Sequence, residues 1–305
     1  MYYFIVNPKS KSKHGKELGT VVAEQLRKRN VPHKIFYTKY RGHGTKLAHD
    51  ITQKNPYCTL VAVGGDGTIH EVLTGITNYD TITFGYIPSG SGNDFARGMK
   101  IDNNTLSALE CILNPCAYMN MDLGVVARKK GTQRFGVSCG IGFDASVTHE
   151  ALASPLKSIL NRIHLGKLTY ALLAIKQLFF YDCCEATMTL DDNQTFHYSK
   201  MYFAAVFNQN VEGGGLKLAP KARPGDQILD VIVVSGIPRI KILLVLPLAF
   251  WGLHEHIKGV HLVKCKHVKI SCSRKLPVHL DGESGGIHNS LFASLEPKKL
   301  RVIVG

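Results

Sequence analysis

The chain has 305 residues, with 37 Lys and Arg against 23 Asp and Glu, and this net charge of +14 suits an anionic partner such as a nucleotide phosphate or a lipid headgroup. Apolar residues make up 45% of the chain, enough for a sizeable core, and two domains are expected at this length. The longest apolar run, residues 242–253, contains Pro247 and falls short of the ~20 residues that span a bilayer, so no membrane-spanning helix is predicted.

The start of the sequence shows no basic segment followed by an apolar one, so no signal peptide is predicted. The eight cysteines are then expected to be reduced thiols, and no CxxC spacing indicates a zinc or redox site. We therefore expect a cytoplasmic protein that associates with membranes only peripherally.

The first ~115 residues alternate between strand and helix patterns. Strands are predicted at 2–6, 33–38, 60–63 and 82–87. Helices are predicted around the stripe formed by Leu18, Val21, Val22 and Leu26, and at 46–54, 68–77, 93–99 and 105–113. Strands that alternate with helices favour a parallel sheet with right-handed crossovers. The predicted fold class of residues 1–118 is therefore α/β.

The pattern changes after Pro115, where strand candidates follow one another directly. They lie at 119–127, 134–139, 185–190, 195–206, 229–234 and 268–271, with a hairpin turn at Asp191–Asn193 and a helical stretch at 157–180. Residues 119–305 are thus predicted to form a mostly antiparallel, β-sandwich-like second domain. The last strand, at about 295–305, could belong to either domain.

Glycine-rich and polar loops follow three strands of the predicted parallel sheet. Gly64-Gly65-Asp66-Gly67-Thr68 lies between a buried strand and a helix, where backbone N–H groups can approach phosphate oxygens and the helix N-terminus adds positive charge. Asp66 beside a phosphate makes sense if it faces a magnesium ion or a reacting hydroxyl. The alternative is a tight turn that is capped by an aspartate.

The other two loops are Pro88-Ser89-Gly90-Ser91-Gly92-Asn93-Asp94 and the lysine-rich segment 7–16. Asn93 and Asp94 can cap the following helix, and the lysines alone could be a solvated turn. Loops at neighbouring strand ends lie side by side on one edge of a parallel sheet, so together they predict a nucleotide site.

These three segments resemble the diacylglycerol-kinase catalytic family, which has a first-strand NP loop, a GGDGT loop and a PxGxxND segment followed by FAR. The resemblance continues through the glycine triplet Gly213-Gly214-Gly215, the segment 219–230 and Asp281-Gly282-Glu283. It therefore runs from residue 7 to residue 283, with the motifs in order. The family implies a two-domain fold, shared in outline with NAD kinases and sphingosine kinases, with ATP in the cleft between the domains.

The resemblance also implies the site residues. Nucleotide-binding positions are Asn7, Pro8, Lys9, Ser10, Lys11, Thr38, Gly65, Asp66, Gly67, Thr68, Glu71, Ser91 and Asn93. Catalytic positions are Asp66, Asp281 and Glu283, with Glu283 at the position of the proposed general base of bacterial members. Which of these three carboxylates accepts the proton is left open by the sequence.

A structural Mg²⁺ site is implied at Arg223, Asp226 and Ile228, through two backbone carbonyls and the Asp226 side chain. Oxygen ligands of this kind suit magnesium. Gly225 and Gln227 depart from the family pattern of paired aspartates before a glycine, so the expectation rests on Asp226.

The resemblance thus implies an ATP-dependent lipid kinase that transfers the γ-phosphate of MgATP to a lipid hydroxyl, with diacylglycerol as the expected acceptor. Two alternatives are a NAD kinase-like enzyme that phosphorylates a soluble nucleotide and a non-catalytic lipid-binding protein on the same fold. The motifs after residue 88 favour the lipid kinase over the first, and the intact Asp66, Asp281 and Glu283 argue against the second.

The expected partner is a lipid substrate at a membrane surface with anionic headgroups. Candidate contacts are residues 152–180 and 242–253, with cations at Lys157, Arg162, Lys167 and Lys241; the alternative is that both segments belong to the core. No nucleic-acid partner is expected, because there is no recognition motif and no interleaving of basic and aromatic residues. An exposed sheet edge in the second domain would permit a homodimer.

Overall fold

The computed structural model describes residues 1–10, 14–128, 131–153 and 166–305, with only the backbone for 166–172. Lys11, Lys157 and Arg162 lie outside the described residues, as does the Lys167 side chain. The chain forms two compact units. The first consists of Met1–Leu123 and Pro297–Gly305, and the second of Gly124–Glu296.

The first unit is an α/β layer structure around a six-stranded sheet. Its strands are β1 (Tyr2–Val6), β2 (His33–Tyr37), β3 (Thr59–Gly64), β4 (Thr83–Pro88), β5 (Ala117–Met121) and β15 (Leu300–Val304), in the spatial order β2-β1-β3-β4-β15-β5. All neighbours are parallel except β15 and β5. The described helices are α1 (Gly15–Lys28), α2 (His43–Lys54), α3 (Asp66–Gly75), α4 (Asp94–Met99) and α5 (Thr105–Leu113).

The central strands are buried along nearly their whole length, as expected for parallel strands that are covered on both faces. In β3 every residue after Thr59 is buried, and in β4 every residue after Thr83. One core cluster joins apolar side chains of β1, β3 and β4 to the inner stripes of α1 and α5, with Val22, Leu26 and Ile112 among its members.

The second unit is a nine-stranded, wholly antiparallel sheet. Its strands are β6 (Gly124–Arg128), β7 (Gly131–Phe135), β8 (Ser138–Gly142), β9 (Cys184–Leu190), β10 (Gln194–Phe207), β11 (Leu229–Ser235), β12 (Val260–Cys265), β13 (His267–Leu280) and β14 (Glu283–Leu295). The described helical segments are α6 (Phe143–Ala153), α7 (Gly166–Phe180), α8 (Arg239–Val245) and a 3₁₀ turn at Pro247–Phe250.

Two 14-residue strands give this sheet its sandwich-like form. The first half of β10 pairs with β9 and its second half with β8 and β11, with register shifts between the halves. In the same way β13 pairs with β9 near Val268 and with β8 near His279. Such irregularities bend a strand, so one continuous sheet can enclose the core. In the part of the chain that the structure describes, no helix is both long and apolar enough to cross a bilayer.

The predicted fold class is confirmed for both halves, and the Asp191–Asn193 hairpin is confirmed between β9 and β10, with Asp191 and Asp192 at positive φ. Two strand predictions are wrong. Residues 134–139 span the end of β7 and the start of β8, because the chain bends at Gly136 and Val137. Residues 119–127 form two strands, because the chain leaves the first sheet after Met121 and enters the second at Gly124. Strand β12 and most of β14 were not predicted, since their alternation of apolar and polar residues is weak.

Candidate active site

The three loops that the sequence singled out leave neighbouring strands at one edge of the first sheet. Val6 of β1 lies opposite Val63 of β3, and Gly64 lies opposite Pro88 of β4. The carboxyl ends of these parallel strands therefore coincide, which is where ligands bind in open α/β sheets. In backbone terms this confirms that the loops lie side by side.

The two glycine-rich loops touch each other through their backbones. Ser89 N donates to Gly64 O at 2.7 Å, and a Cβ built on Gly90 would lie 2.7 Å from Gly65 Cα. No real Cβ is accommodated at that distance, so Gly90 must lack a side chain. The contact leaves the N-terminus of α3 without side-chain cover from Gly65, and its backbone N–H groups suit an anion.

Asp66 is the first residue of α3 and reaches across to the adjacent loop. Its Oδ1 accepts a hydrogen bond from Phe95 N at 3.3 Å, and its Oδ2 lies 2.9 Å from where a Cβ on Gly92 would be. Beneath it, Tyr86 donates to Gly64 O at 3.0 Å. Burial, followed by the charges of Asp66 and Asp94, raises the pKa of Tyr86 well above 10, so this phenol stays neutral.

The first-strand loop is joined to the same cluster by side chains. Asn7 Nδ2 donates to Thr68 Oγ1 at 3.1 Å, and Ser89 Oγ donates to Ser10 Oγ at 2.8 Å. Lys9 N in turn donates to Asn7 Oδ1 at 2.9 Å, and Pro8 lies in the same turn. The structure thus brings Asn7 and Ser10 together with the GGDGT and PSGSGND segments.

Asn93 shapes its loop rather than capping the next helix. It adopts a left-handed conformation, and its Oδ1 accepts from Gly90 N at 2.8 Å, three residues before it in the sequence. Its Nδ2 donates to Asn103 Oδ1 at 3.0 Å. The side-chain cap predicted for this helix is therefore wrong at Asn93. Ser91 is exposed at the tip of the loop.

Glu71 and Thr38 stand at the outer side of this edge. Both carboxylate oxygens of Glu71 accept backbone hydrogen bonds from the start of α2, from Gly42 N at 2.6 Å and from Gly44 N at 2.9 Å. Thr38 follows β2 and donates its N–H to Val6 O at 2.9 Å. The contacts of Glu71 favour a role in positioning α2. Gly67 is the second residue of α3.

In the second unit, Asp281 and Gly282 form the two-residue turn of the β13–β14 hairpin, and both have positive φ. The Asp281 carboxylate is not a solvated turn acid. It is buried and accepts three backbone hydrogen bonds, from Gly136 N at 3.0 Å, Val137 N at 2.8 Å and Ser138 N at 3.2 Å. Its contacts favour a positioning role, whereas Glu283, half-buried, begins β14.

A buried ionic cluster, which the sequence analysis missed, lies just before this turn. His279 on β13 is 1% exposed, with Nε2 2.9 Å from Asp144 Oδ2 and Nδ1 3.5 Å from Glu212 Oε1. Burial lowers the pKa of His279, but the charges of Glu212 and Asp144 outweigh it and raise that pKa to about 9. Burial raises the pKa of Glu212. No motif spacing signals this cluster, since its residues lie far apart in the chain.

The segment predicted to hold magnesium is an exposed turn. Asp226 Oδ1 accepts from Ile228 N at 3.1 Å, Gly225 N donates to Arg223 O at 2.8 Å, and Gln227 has a positive φ. The donor set of two carbonyls and one carboxylate is all oxygen, which fits Mg²⁺ completed by water. Among the residues described, no group of three His, Cys, Asp or Glu side chains could hold a metal.

Comparison with known proteins agrees with this arrangement. Residues 1–126 match the model of the diacylglycerol kinase catalytic domain, and residues 137–304 match that of the YegS C-terminal NAD kinase beta sandwich-like domain. The Bacillus subtilis protein YtlR is 32% identical over 99% of this chain and 98% of its own. The diacylglycerol kinase of Bacillus subtilis is 31% identical over 83% of this chain and 82% of its own.

Solved structures share the fold of the whole chain. A diacylglycerol kinase from Bacillus anthracis superposes with a TM-score of 0.73 at 20% identity, covering 100% of this chain and 96% of that one. A NAD kinase from Archaeoglobus fulgidus in complex with ATP superposes with a TM-score of 0.53 at 11% identity, covering 99% of this chain and 93% of that one.

An α/β unit with a glycine-lined sheet edge, followed by an antiparallel β unit, defines a kinase that transfers phosphate to an alcohol. The chain belongs to the diacylglycerol kinase family of lipid kinases.

Proposed function

We propose that this protein is an ATP-dependent lipid kinase that converts diacylglycerol to phosphatidic acid, a step of phospholipid metabolism. The observation that carries the proposal is the meeting of the Gly65 and Gly90 backbones beside Asp66, at the carboxyl edge of three parallel strands. Relatives named diacylglycerol kinase support the choice of acceptor.

In the proposed reaction the lipid hydroxyl oxygen attacks the γ-phosphorus of MgATP in line. A new bond forms from that oxygen to phosphorus, the bond from phosphorus to the β–γ bridging oxygen breaks, and ADP leaves. Glu283 accepts the hydroxyl proton, for which it must come within ~3 Å or one water of the hydroxyl. Asn7, Lys9 and Ser10, with the N-terminus of α3, bind the phosphates, and Asp66 would hold the catalytic Mg²⁺, which would neutralise part of the phosphate charge.

Two substitutions test this assignment. Asp66→Ala and Glu283→Gln should each lower kcat by at least about two orders of magnitude while the protein stays folded, the usual contribution of a general base. The matched controls Asp50→Asn and Glu185→Gln alter carboxylates of the same units that lie outside the site, the first half-buried and the second exposed, and they should keep wild-type kcat. Near-normal turnover in either test variant would remove that residue from the mechanism.

The acceptor is tested with radiolabelled ATP and a panel of diacylglycerol, monoacylglycerol, phosphatidylglycerol, a sphingoid base and NAD, read by chromatography. Label in phosphatidic acid supports the proposal. Label only in the NAD product would replace it with the NAD kinase alternative, and the absence of label in every product would favour a non-catalytic lipid-binding protein.

We also propose that Arg223 and Ile228 carbonyls and the Asp226 carboxylate hold a structural Mg²⁺, which would fix the turn before β11. Mg²⁺ that binds only the folded protein raises its melting temperature, because the gain follows RT ln(1 + [Mg²⁺]/Kd). The gain should disappear in Asp226→Ala and persist in the control Asp182→Ala. An unchanged gain in Asp226→Ala would contradict the site.

The lipid is proposed to reach the enzyme from an anionic membrane that contacts an apolar patch on the second unit. Helix α8 buries none of its residues, and Ile240 and Leu244 are 68% and 70% exposed. Trp251 follows the adjoining 3₁₀ turn and is 68% exposed. Arg239 NH2 donates to Tyr181 O at 3.0 Å, so Phe180, 80% exposed, lies beside the start of α8.

This patch (Phe180, Ile240, Leu244 and Trp251) is bordered by Arg239 and by the exposed Lys241. Apolar side chains flanked by cations, with a tryptophan among them, are typical of a surface that lies in a membrane interface. The proposed contact therefore takes Phe180 from the candidate segment 152–180 and Leu244 and Trp251 from 242–253, and it adds Ile240.

Trp251 is the single tryptophan of the chain and reports on this contact directly. Vesicles that contain phosphatidylserine should shift its fluorescence to shorter wavelength, and brominated acyl chains should quench it. Leu244→Glu should weaken binding at least ten-fold, whereas Leu106→Glu, at an exposed position of α5 in the first unit, should not. Equal, salt-insensitive binding to neutral and anionic vesicles would rule out electrostatic docking.

A further inference from the structure

The buried cluster of Asp144, Glu212 and His279 has no part in the proposed reaction, yet it links three segments of the second unit. Asp144 lies in the first turn of α6, and its other carboxylate oxygen accepts from Ala145 N at 2.7 Å. Glu212 directly precedes the glycine triplet at 213–215. His279 lies two residues before Asp281 at the end of β13.

The surrounding backbone is built to admit this contact. A Cβ on Gly140 of β8 would lie 2.6 Å from His279 Nε2 and 2.3 Å from Asp144 Oδ2, so glycine is required where the ring meets the carboxylate. Glu212 and Leu216 exchange backbone hydrogen bonds at 2.9 and 2.8 Å, which close the glycine-triplet loop at its base. His279 therefore contacts the fixed end of that loop.

The charge of the ring explains why both carboxylates are tolerated there. A protonated imidazole carries an N–H on each nitrogen, whereas the neutral ring can donate from one nitrogen alone. Buried carboxylates are costly without a paired charge. The charge of Asp281, which accepts backbone N–H groups, also favours the protonated ring, and Cys139 of β8 lies near the same carboxylates and near Arg128 of β6.

We propose that His279 is a positioning residue whose imidazolium fastens the glycine-triplet loop and α6 to the end of β13, and so holds the turn that presents Glu283. The proposal rests on the proposed function, because it assigns Glu283 the proton. The register of this turn depends on the hydrogen bonds that the backbone N–H groups of Gly136, Val137 and Ser138 donate to the Asp281 carboxylate. A shift of His279 moves Asp281, two residues on.

Two near-isosteric substitutions of His279 test its contacts with Asp144 and with Glu212 separately. Gln places an N–H near the position of Nε2 and keeps the contact with Asp144, whereas Asn places one near Nδ1 and keeps the contact with Glu212. His267 offers a matched control, since it lies on the same strand between Asp191 and Asp192, at 3.6 and 2.9 Å, at the opposite end.

The expected result is that His279→Gln and His279→Asn each lower kcat at least ten-fold with little change in KM for ATP, while His267→Gln keeps wild-type kcat. Amide hydrogen exchange at Val137 and Ser138 should speed up in the His279 variants and not in the control. A mere loss of stability would not separate kcat from KM in this way.

Wild-type kcat and unchanged exchange in both folded His279 variants would overturn the proposal, as would a neutral His279 ring in the ¹⁵N NMR spectrum of the wild type at pH 7. If neither variant folds, Glu212→Gln is the deciding variant. Faster amide hydrogen exchange at Val137 in Glu212→Gln would support the positioning role of His279, and unchanged exchange would refute it. Full activity of Glu283→Gln would instead contradict the proposed role of Glu283. The hydrogen-exchange experiment would still test whether His279 holds the turn.

Discussion

Single residues fix the shape of the glycine-lined edge of the first sheet, where Gly65 and Gly90 meet, and Gly90 is the most constrained of them. An added methyl group at Gly90 would meet Gly65 Cα at 2.7 Å and Asn93 Oδ1 at 2.8 Å, and both belong to the packed edge. Gly90→Ala should therefore separate the two loops and raise KM for ATP at least ten-fold. Ser107→Ala, at an exposed position of α5 outside the site, is the control, and steady-state kinetics give the comparison; equal KM values would contradict the contact.

The His279 cluster makes stability depend on pH. The pKa of His279 rises from an ordinary 6.5 to about 9 in the folded protein, so the folded state binds the proton more tightly. Its stabilising contribution is complete below pH 6.5, declines as the pH rises towards 9 and is lost above that. Because one pKa unit corresponds to about 1.4 kcal/mol, the protonated His279 contributes up to about 3 kcal/mol to the free energy of unfolding.

Urea unfolding at pH 6, 7.5 and 9 measures this dependence. The free energy of unfolding of the wild type should fall over this range by more than that of His279→Gln. Parallel curves for the two proteins would show that His279 carries no raised pKa.

What the sequence could reveal at this scale depends on whether residues are close in the chain. Asp66 and Asn93 lie within contiguous motifs, so their loops could be predicted together from the ends of neighbouring strands. Asp144, Glu212 and His279 meet only because β8, β13 and the glycine-triplet loop pack together. The burial of Asp281 could not be predicted for the same reason, since its partners lie about 140 positions away.

Among the secondary-structure elements, α2 depends on α3 for the start of its first turn. Its N-cap, Gly42, provides no side-chain acceptor, and Glu71 of α3 accepts from Gly42 N and Gly44 N instead. Glu71→Ala leaves two helix donors without this partner and should lower the free energy of unfolding by about 1–3 kcal/mol.

The control for Glu71→Ala is Glu17→Ala in α1, an exposed acid whose removal should cost under about 0.5 kcal/mol. Chemical denaturation of both variants gives the comparison. An equal, small loss in the two would show that Glu71 does not support α2, and a loss of ATP binding without a loss of stability would favour direct contact with the nucleotide.

Elements were predictable where the apolar period was clear. The helix at 105–113 was located correctly because Ala108, Leu109 and Ile112 form one buried stripe, and Asn104 caps it. The strand predicted at 195–206 covers nearly all of β10, whereas β13 was recognised only over 268–271, because it changes its partners midway. The alternation of apolar and polar residues along the sequence does not by itself predict where a strand bends.

At the scale of the whole molecule, the first unit depends on a strand that is distant in sequence. β15 lies between β4 and β5, and Leu300, Val302 and Ile303 are buried. Removal of residues 297–305 should therefore unfold the first unit and leave the second folded. Limited proteolysis should degrade the strands of the first unit and spare those of the second. Arg301→Ala, which removes only an exposed cation above the Tyr118 ring, is the control and should resist cleavage.

The homodimer that an exposed sheet edge would permit also belongs to this scale. Strand β12 pairs with β11 on one side and has no second neighbour among the described strands, so it could add a strand from another copy. A sedimentation-velocity mass of twice 33.6 kDa at micromolar concentration would support this dimer, and a single species of that monomer mass would contradict it.

The placement of β15 also sets an order on synthesis at the ribosome. The gap between β4 and β5 stays unfilled until residues 300–304 emerge, although every other strand of that sheet was made at least about 180 residues earlier. The antiparallel unit, encoded in between, can close first. The first unit would then fold later than the second. A nascent chain would have no complete glycine-lined sheet edge until translation has passed Val304.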